Sequence, residues 1–220
     1  MTAHAQGDTS PGGATRPSLR GIPDLIAAGV AVPAGLLLTA HAASGLGAFS
    51  AAIFSLGLVA MLLTSGLYHA VTWSPRRLAL MSRFDHAAIF VLIAASYTPF
   101  CLCTDVALGP HVLGVAWSCA AFGVLHSLFA AAADRAIRAG FYVLLGVGLS
   151  PCVPSLWWLI PGQAFALALG GGAAYILGAG VYVKRWPDPS PRHFGYHEVF
   201  HLFVFTGAAC HYGAIWRIVT

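Results

Sequence analysis

His197 and His201 stand four residues apart in the last apolar segment of a 220-residue chain. On a helix that spacing puts both imidazoles on one face, about 6 Å apart along the axis. His69 ends a much earlier apolar segment, and all three histidines lie close to a basic stretch. Three neutral imidazoles with a fourth position left to water form the donor set of a catalytic zinc ion. Zinc bound this way lowers the pKa of its water to about 7. Ser65 precedes His69 by four residues and shares its face, while Asp85 follows Arg83 at the cytoplasmic mouth of the third apolar segment. A carboxylate there can hold the water and accept its proton. Each residue also has an ordinary reading: a histidine at a membrane interface can bond a backbone carbonyl or headgroup, and Asp85 can pair with Arg83 or cap its helix. The common depth of the four favours the metal.

Other residues carry weaker signals. His197, Glu198 and His201 spell H-E-x-x-H, in which the glutamate is the general base of a zinc protease. That reading needs a third ligand, usually a carboxylate, and Asp85 could be recruited. His86 adjoins Asp85 but points about 100° away. His211 lies ten residues beyond His201, about 15 Å deeper, too far for the same ion. Hydrogen bonding between helices is the expectation for His86, His126 and His211. Gly170, Gly171 and Gly172 fall within an apolar segment, where close helix packing is expected rather than phosphate binding. Five cysteines, none in a C-x-x-C pair, read as small packing residues.

The elements that position these groups follow from composition. Hydrophobic residues make up 58% of the chain and charged residues 8%, and the mean hydropathy is +0.78. So few charges exclude a soluble enzyme, a coiled coil and a disordered chain. Continuous apolar runs, without alternation, exclude a membrane β-barrel. Residues 1–20 are polar and read as a disordered tail, followed by one transmembrane domain over 21–220. Seven spans are expected at about 22–43, 47–70, 84–103, 111–131, 139–156, 163–183 and 197–218. The fifth is the weakest, because Pro151 and Pro154 kink or end it. Ten of the eleven Lys and Arg residues then fall on one side, leaving Arg217 on the other. This distribution predicts a cytoplasmic N-terminus and an external C-terminus. Because the basic residues are scattered between apolar runs, the formal charge of +4 is a matter of topology and implies no nucleic-acid partner.

Three stretches resemble the elements of hemolysin III proteins, within the progestin and adipoQ receptor family. Thr64 to His69 is similar to the S-x-x-x-H element. Phe84 to Phe90, continuing to Ser96–Pro99, is similar to the aspartate element of the third helix. His197 to Phe203, continuing to His211, is similar to the final H-x-x-x-H element. The resemblance implies an all-α bundle of seven transmembrane helices, zinc held by His69, His197 and His201, and a metal-bound water organised by Asp85 and Ser65. It also implies a multi-pass protein of the bacterial inner membrane whose partners are membrane lipids. Related receptors and alkaline ceramidases suggest hydrolysis of a lipid amide or ester, whereas the hemolysin name suggests lysis. Three functions compete: a zinc-dependent lipid hydrolase, a non-enzymatic receptor or cytolytic protein with structural zinc, and an intramembrane zinc protease.

Overall fold

A computed structural model of the chain describes residues 19–130 and 134–220, without the side chains of residues 149–151. The expected tail therefore lies outside the described residues except for Leu19 and Arg20. Among the described residues the chain is helical, apart from one antiparallel bridge between Ser190 and Phe194. The helices are α1 (Ile22–Ala40), α2 (Gly45–Ala70), α3 (Pro75–Leu102), α4 (Gly109–Phe129), α5 (Arg135–Gly146), α6 (Val153–Leu159), α7 (Gly162–Lys184) and α8 (Tyr196–Val219). Six of them, α1 to α4, α7 and α8, are long and apolar enough to cross a membrane.

Large apolar side chains cover the outside: Leu36, Phe122, Phe129 and Trp158 are each more than two-thirds exposed. The interior is instead rich in alanine and small residues, including Ala51, Ala94, Ala95, Ala120, Ala164 and Ala214. Water would penalise such an exterior, whereas lipid solvates it, and small interior residues let helix backbones approach closely. Neighbours in sequence pack together (α1 on α2, α2 on α3, α3 on α4, α7 on α8), and α8 also touches α1, α2 and α3. A side chain on the inner face of α8 can therefore meet residues from helices more than a hundred positions earlier.

Two elements differ from the sequence expectation. The fifth segment is not a continuous span: α5 gives way to a 3-10 turn over Val147–Cys152 and resumes as α6, with Pro154 in its first turn. A proline lacks an N–H and fits best in the first turn of a helix, where that N–H would have no helical partner. Where α5 ends, carbonyls lose their helical partners. The Tyr97 hydroxyl on α3 donates to the Leu145 and Gly146 carbonyls, the latter at 2.9 Å. The second difference is at α3, which starts at Pro75, nine residues before the expected 84. Arg76, Arg77 and Arg83 thus belong to a helix rather than a loop. Asp85 stands ten residues inside α3 and neither opens nor caps it.

Candidate metal centre

The first turn of α8 is held from two sides. Glu198 Oε2 accepts the Gly195 N–H at 2.8 Å, and Asp188 Oδ1 accepts the Tyr196 N–H at 2.8 Å. Both N–H groups lack helical partners at a helix N-terminus, and carboxylates are the strong acceptors for them. The turn so fixed carries His197. Arg135 braces it from α5: its guanidinium lies 4.6 Å from the centroid of the Tyr182 ring and donates to the Tyr196 hydroxyl at 3.1 Å.

His197 and His201 point across α8 to the end of α2, where His69 completes the group. His197 Nε2 is 3.0 Å from His69 Nε2, and His201 Nε2 is 2.9 Å from His197 Nε2. The three rings are buried, at 8%, 6% and 7% exposure for His69, His197 and His201. One ligand atom from each lies within 4.8 Å of the others. His197 Nε2 faces two nitrogens at once but carries one proton at most, so a neutral imidazole there cannot satisfy both contacts. A cation at the centre resolves that conflict. Tetrahedral coordination at about 2.0–2.1 Å separates ligand nitrogens by about 3.3 Å, close to the 3.0 and 2.9 Å that His197 Nε2 keeps from His69 and His201. The residues therefore fit a metal ion, and imidazole suits zinc.

The carboxylates are arranged differently from one another. Asp85 is buried against the site, within hydrogen-bonding reach of Ser65, with His201, Asp24 and Arg138 as the titratable groups around it. It is not a member of the group that closes around one point, which among the described residues comprises the three histidines. The protease arrangement, with Asp85 as third ligand, is thus not what the fold brings together. Glu198 is engaged in capping α8 through one oxygen; Oε1 is buried without a hydrogen-bond partner among the described residues.

Two participants were not singled out from the sequence. Asp24, on the first turn of α1, is 2% exposed, and its Oδ1 lies 2.8 Å from His201 Nδ1. The contact is short but off the ideal hydrogen-bond direction. An acid inside an apolar helix is itself a signal of function, and applying that rule to Asp24 finds it. Arg138 reads as a loop charge in the sequence, yet α5 brings it within electrostatic range of Asp85.

The remaining histidines divide. His211 Nε2 is 3.3 Å from the Ala168 carbonyl on α7, the interhelical bond expected of it. A Cβ on Gly171 would stand 2.5 Å from His211 Cδ2, so only glycine leaves room for the ring, while Gly170 and Gly172 have open space. His126 departs from expectation: it is exposed on α4, with its ring centroid 6.3 Å from that of Phe122 on the same helix. At His86 it is the backbone carbonyl that takes a bond, from the Tyr142 hydroxyl at 3.2 Å.

Fold and site together define an α-helical, multi-pass membrane protein with a buried three-histidine group able to hold a metal ion. The family model described as "Haemolysin-III related" matches residues 13–212. The chain belongs to the haemolysin III family, within the progestin and adipoQ receptor superfamily. It is 32% identical over 192 residues to "Hemolysin-3" of Bacillus cereus, covering 84% of this chain and 83% of the relative. It is 30% identical over 175 residues to "Hemolysin-3 homolog" of Bacillus subtilis (strain 168), 79% of each. It is 29% identical over 170 residues to "Monocyte to macrophage differentiation factor" of Homo sapiens, 75% of this chain and 68% of the relative.

Proposed function

We propose that this protein is a zinc-dependent hydrolase of the bacterial inner membrane acting on a lipid amide or ester. His69, His197 and His201 hold the metal, and Asp85 is the catalytic carboxylate, with Ser65 fixing it. The reading rests chiefly on one observation: Asp85 is buried beside the three histidines, with Ser65 in reach, yet is not one of the metal-competent group. Three protein ligands leave a metal an open position, the mark of a catalytic rather than a structural site.

Zinc at this position supplies Lewis-acid polarisation of a carbonyl oxygen. The Ser65 hydroxyl donates to the Asp85 carboxylate and fixes its direction. Asp85 takes a proton at its carboxylate oxygen from the attacking water and passes it to the leaving group. Arg138 on α5 places a positive charge within electrostatic range of Asp85, and the apolar surroundings exclude bulk water.

The topology belongs to the same proposal. Residues 1–20 form a polar tail, and residues 21–220 form a seven-span domain in which α5 and α6, Arg135–Leu159 together, make the fifth passage as a broken helix. The basic asymmetry supports a cytoplasmic N-terminus and an external C-terminus, with the metal group toward the cytoplasmic face. Reporter fusions at both ends test this: an external C-terminal reporter is expected, and a cytoplasmic one removes α5 and α6 from the span count.

One observation favours a second reading, in which zinc is structural and the protein is a receptor or, as the relatives' name suggests, cytolytic. The cavity lined by Asp24, His197, Glu198 and His201 measures only ≈ 20 Å³, room for one water and no more. The deciding experiment is turnover of a ceramide-like amide and ester panel by purified protein of measured zinc content. Hydrolysis that disappears on chelation and returns with zinc supports the enzyme. A fully metallated chain that turns over none of the panel, yet permeabilises vesicles, supports the second reading.

A further inference from the structure

Of the three imidazoles in the group, His201 has a carboxylate against its far nitrogen: Asp24 Oδ1 lies 2.8 Å from His201 Nδ1, and Asp24 is 2% exposed. Neither His197 Nδ1 nor His201 Nδ1 has an aligned hydrogen-bond partner among the described residues, but His201 has the Asp24 carboxylate beside it. We propose that Asp24 is a positioning residue that orients His201 for metal binding and makes α1 a part of the metal centre. The inference rests on the reading of the three histidines as a metal site.

The chemistry follows from the two nitrogens of one ring. A neutral imidazole carries a single proton, and a carboxylate at Nδ1 draws that proton to Nδ1. Nε2, which faces His197 Nε2 at 2.9 Å, is then left as the lone-pair donor. A negative partner also raises the basicity of the ring toward a metal. The contact is off-axis, but the terminal torsion of histidine is soft, so a modest rotation aligns it.

The placement of α1 is built for this contact. Gly21, immediately before the helix, has φ 83°, and a Cβ there would stand 2.5 Å from Ala70 N and 2.8 Å from His69 C. Only glycine combines that left-handed backbone with so close an approach. The start of α1 is thereby set directly against the backbone that carries His69, and Asp24 follows one turn later. Gly21 and Asp24 thus tie α1 to two of the three histidines on two different helices.

The test uses the full chain in detergent or nanodiscs and reads metal affinity rather than activity. Zinc Kd is measured by chelator competition, and the coordination environment by the visible spectrum of the cobalt(II)-substituted protein. Asp24→Leu, close to the original in size and without an acceptor, should fold as the wild type does and weaken zinc binding 10–100-fold. Asp24→Asn, which keeps an acceptor and loses the charge, should lose less, and Asp24→Glu should recover affinity toward the wild type. The cobalt spectrum should shift in Asp24→Leu, which a merely structural helix contact would not produce. Asp105→Asn, which neutralises an exposed carboxylate between α3 and α4, at the opposite end of α3 from Asp85, should leave Kd and spectrum unchanged. Equal Kd and spectra in the wild type, Asp24→Leu and Asp24→Asn overturn the inference while leaving the metal site intact. A wild-type chain that takes up neither zinc nor cobalt overturns the metal reading itself.

Discussion

The two ends of α8 each bury a histidine against other helices, and they solve the problem differently. At its start, His197 meets His69 of α2 at 3.0 Å and His201 at 2.9 Å, with Asp24 and Asp85 close by. Further along, His211 meets a single backbone carbonyl, Ala168, beside the aromatic rings of Phe100 and Tyr175. Both are imidazoles in an apolar interior, where an unmet polar group is expensive. One carbonyl takes up His211 Nε2, while Nδ1 is buried without a hydrogen-bond partner among the described residues, and no second imidazole converges on the ring. At the start of α8 each imidazole is met by other imidazoles, which cannot satisfy one another with protons alone, and a cation answers that arrangement. Burial of a histidine in the membrane is therefore not evidence of a metal; convergence of several donors on one point is.

That contrast can be broken or sharpened by mutation. The largest effect is expected from His197→Ala with His201→Ala, which should abolish zinc binding, read by metal analysis of purified protein, while membrane insertion persists because the apolar spans are untouched. Full zinc occupancy in this double variant would remove the site assignment. Next, Asp85→Asn should lower turnover of a lipid amide by about 10²–10⁴-fold, the usual contribution of a general base, with zinc content unchanged. Parallel loss of zinc would mean that Asp85 is a ligand after all.

Smaller effects are expected away from the convergence point. Gly171→Ala drives a methyl into the His211 ring and the Gly207 carbonyl, and overpacking of this kind costs about 1–3 kcal/mol. Thermal unfolding in detergent should register it, with zinc stoichiometry unaltered. Glu198→Gln keeps an acceptor for the Gly195 N–H and should cost under about 1 kcal/mol of stability and only a few-fold in rate. If that variant instead loses peptide cleavage that Asp85→Asn retains, the H-E-x-x-H reading is restored. The smallest effect is that of His211→Leu, which should leave zinc affinity within experimental error, since His211 belongs to no metal-competent group among the described residues. A measurable fall would show that the two ends of α8 are coupled.

Much of the fold is legible in the sequence because lipid imposes a simple rule: backbone groups must be satisfied internally, so apolar runs of about twenty residues are helices. The expected boundaries for α1, α2, α4, α7 and α8 accordingly fall within a few residues of those observed. The beginning of α3 was hidden because Arg76, Arg77 and Arg83 lower its hydropathy, and a charged helical turn outside the hydrocarbon looks like a loop. Pro151 and Pro154 announced an interruption of the fifth segment, but not that Tyr97 supplies the hydrogen bonds at the break.

The metal group divides along the same line. The i,i+4 spacing of His197 and His201 is a property of one helix, so the sequence alone decides that they share a face. The membrane also forces the depth of His69 to match theirs, since each lies at the same end of its own span. Which carboxylate stands where is different. Asp24, Asp85 and Glu198 are all acids near one face, and nothing in their spacing separates a ring-orienting partner, a base and a helix cap. Their roles depend on how α1, α3 and α8 are rotated about their own axes and on the close approach that Gly21 allows at His69. Those rotations come from side-chain packing between helices remote in sequence, and only the assembled bundle decides them.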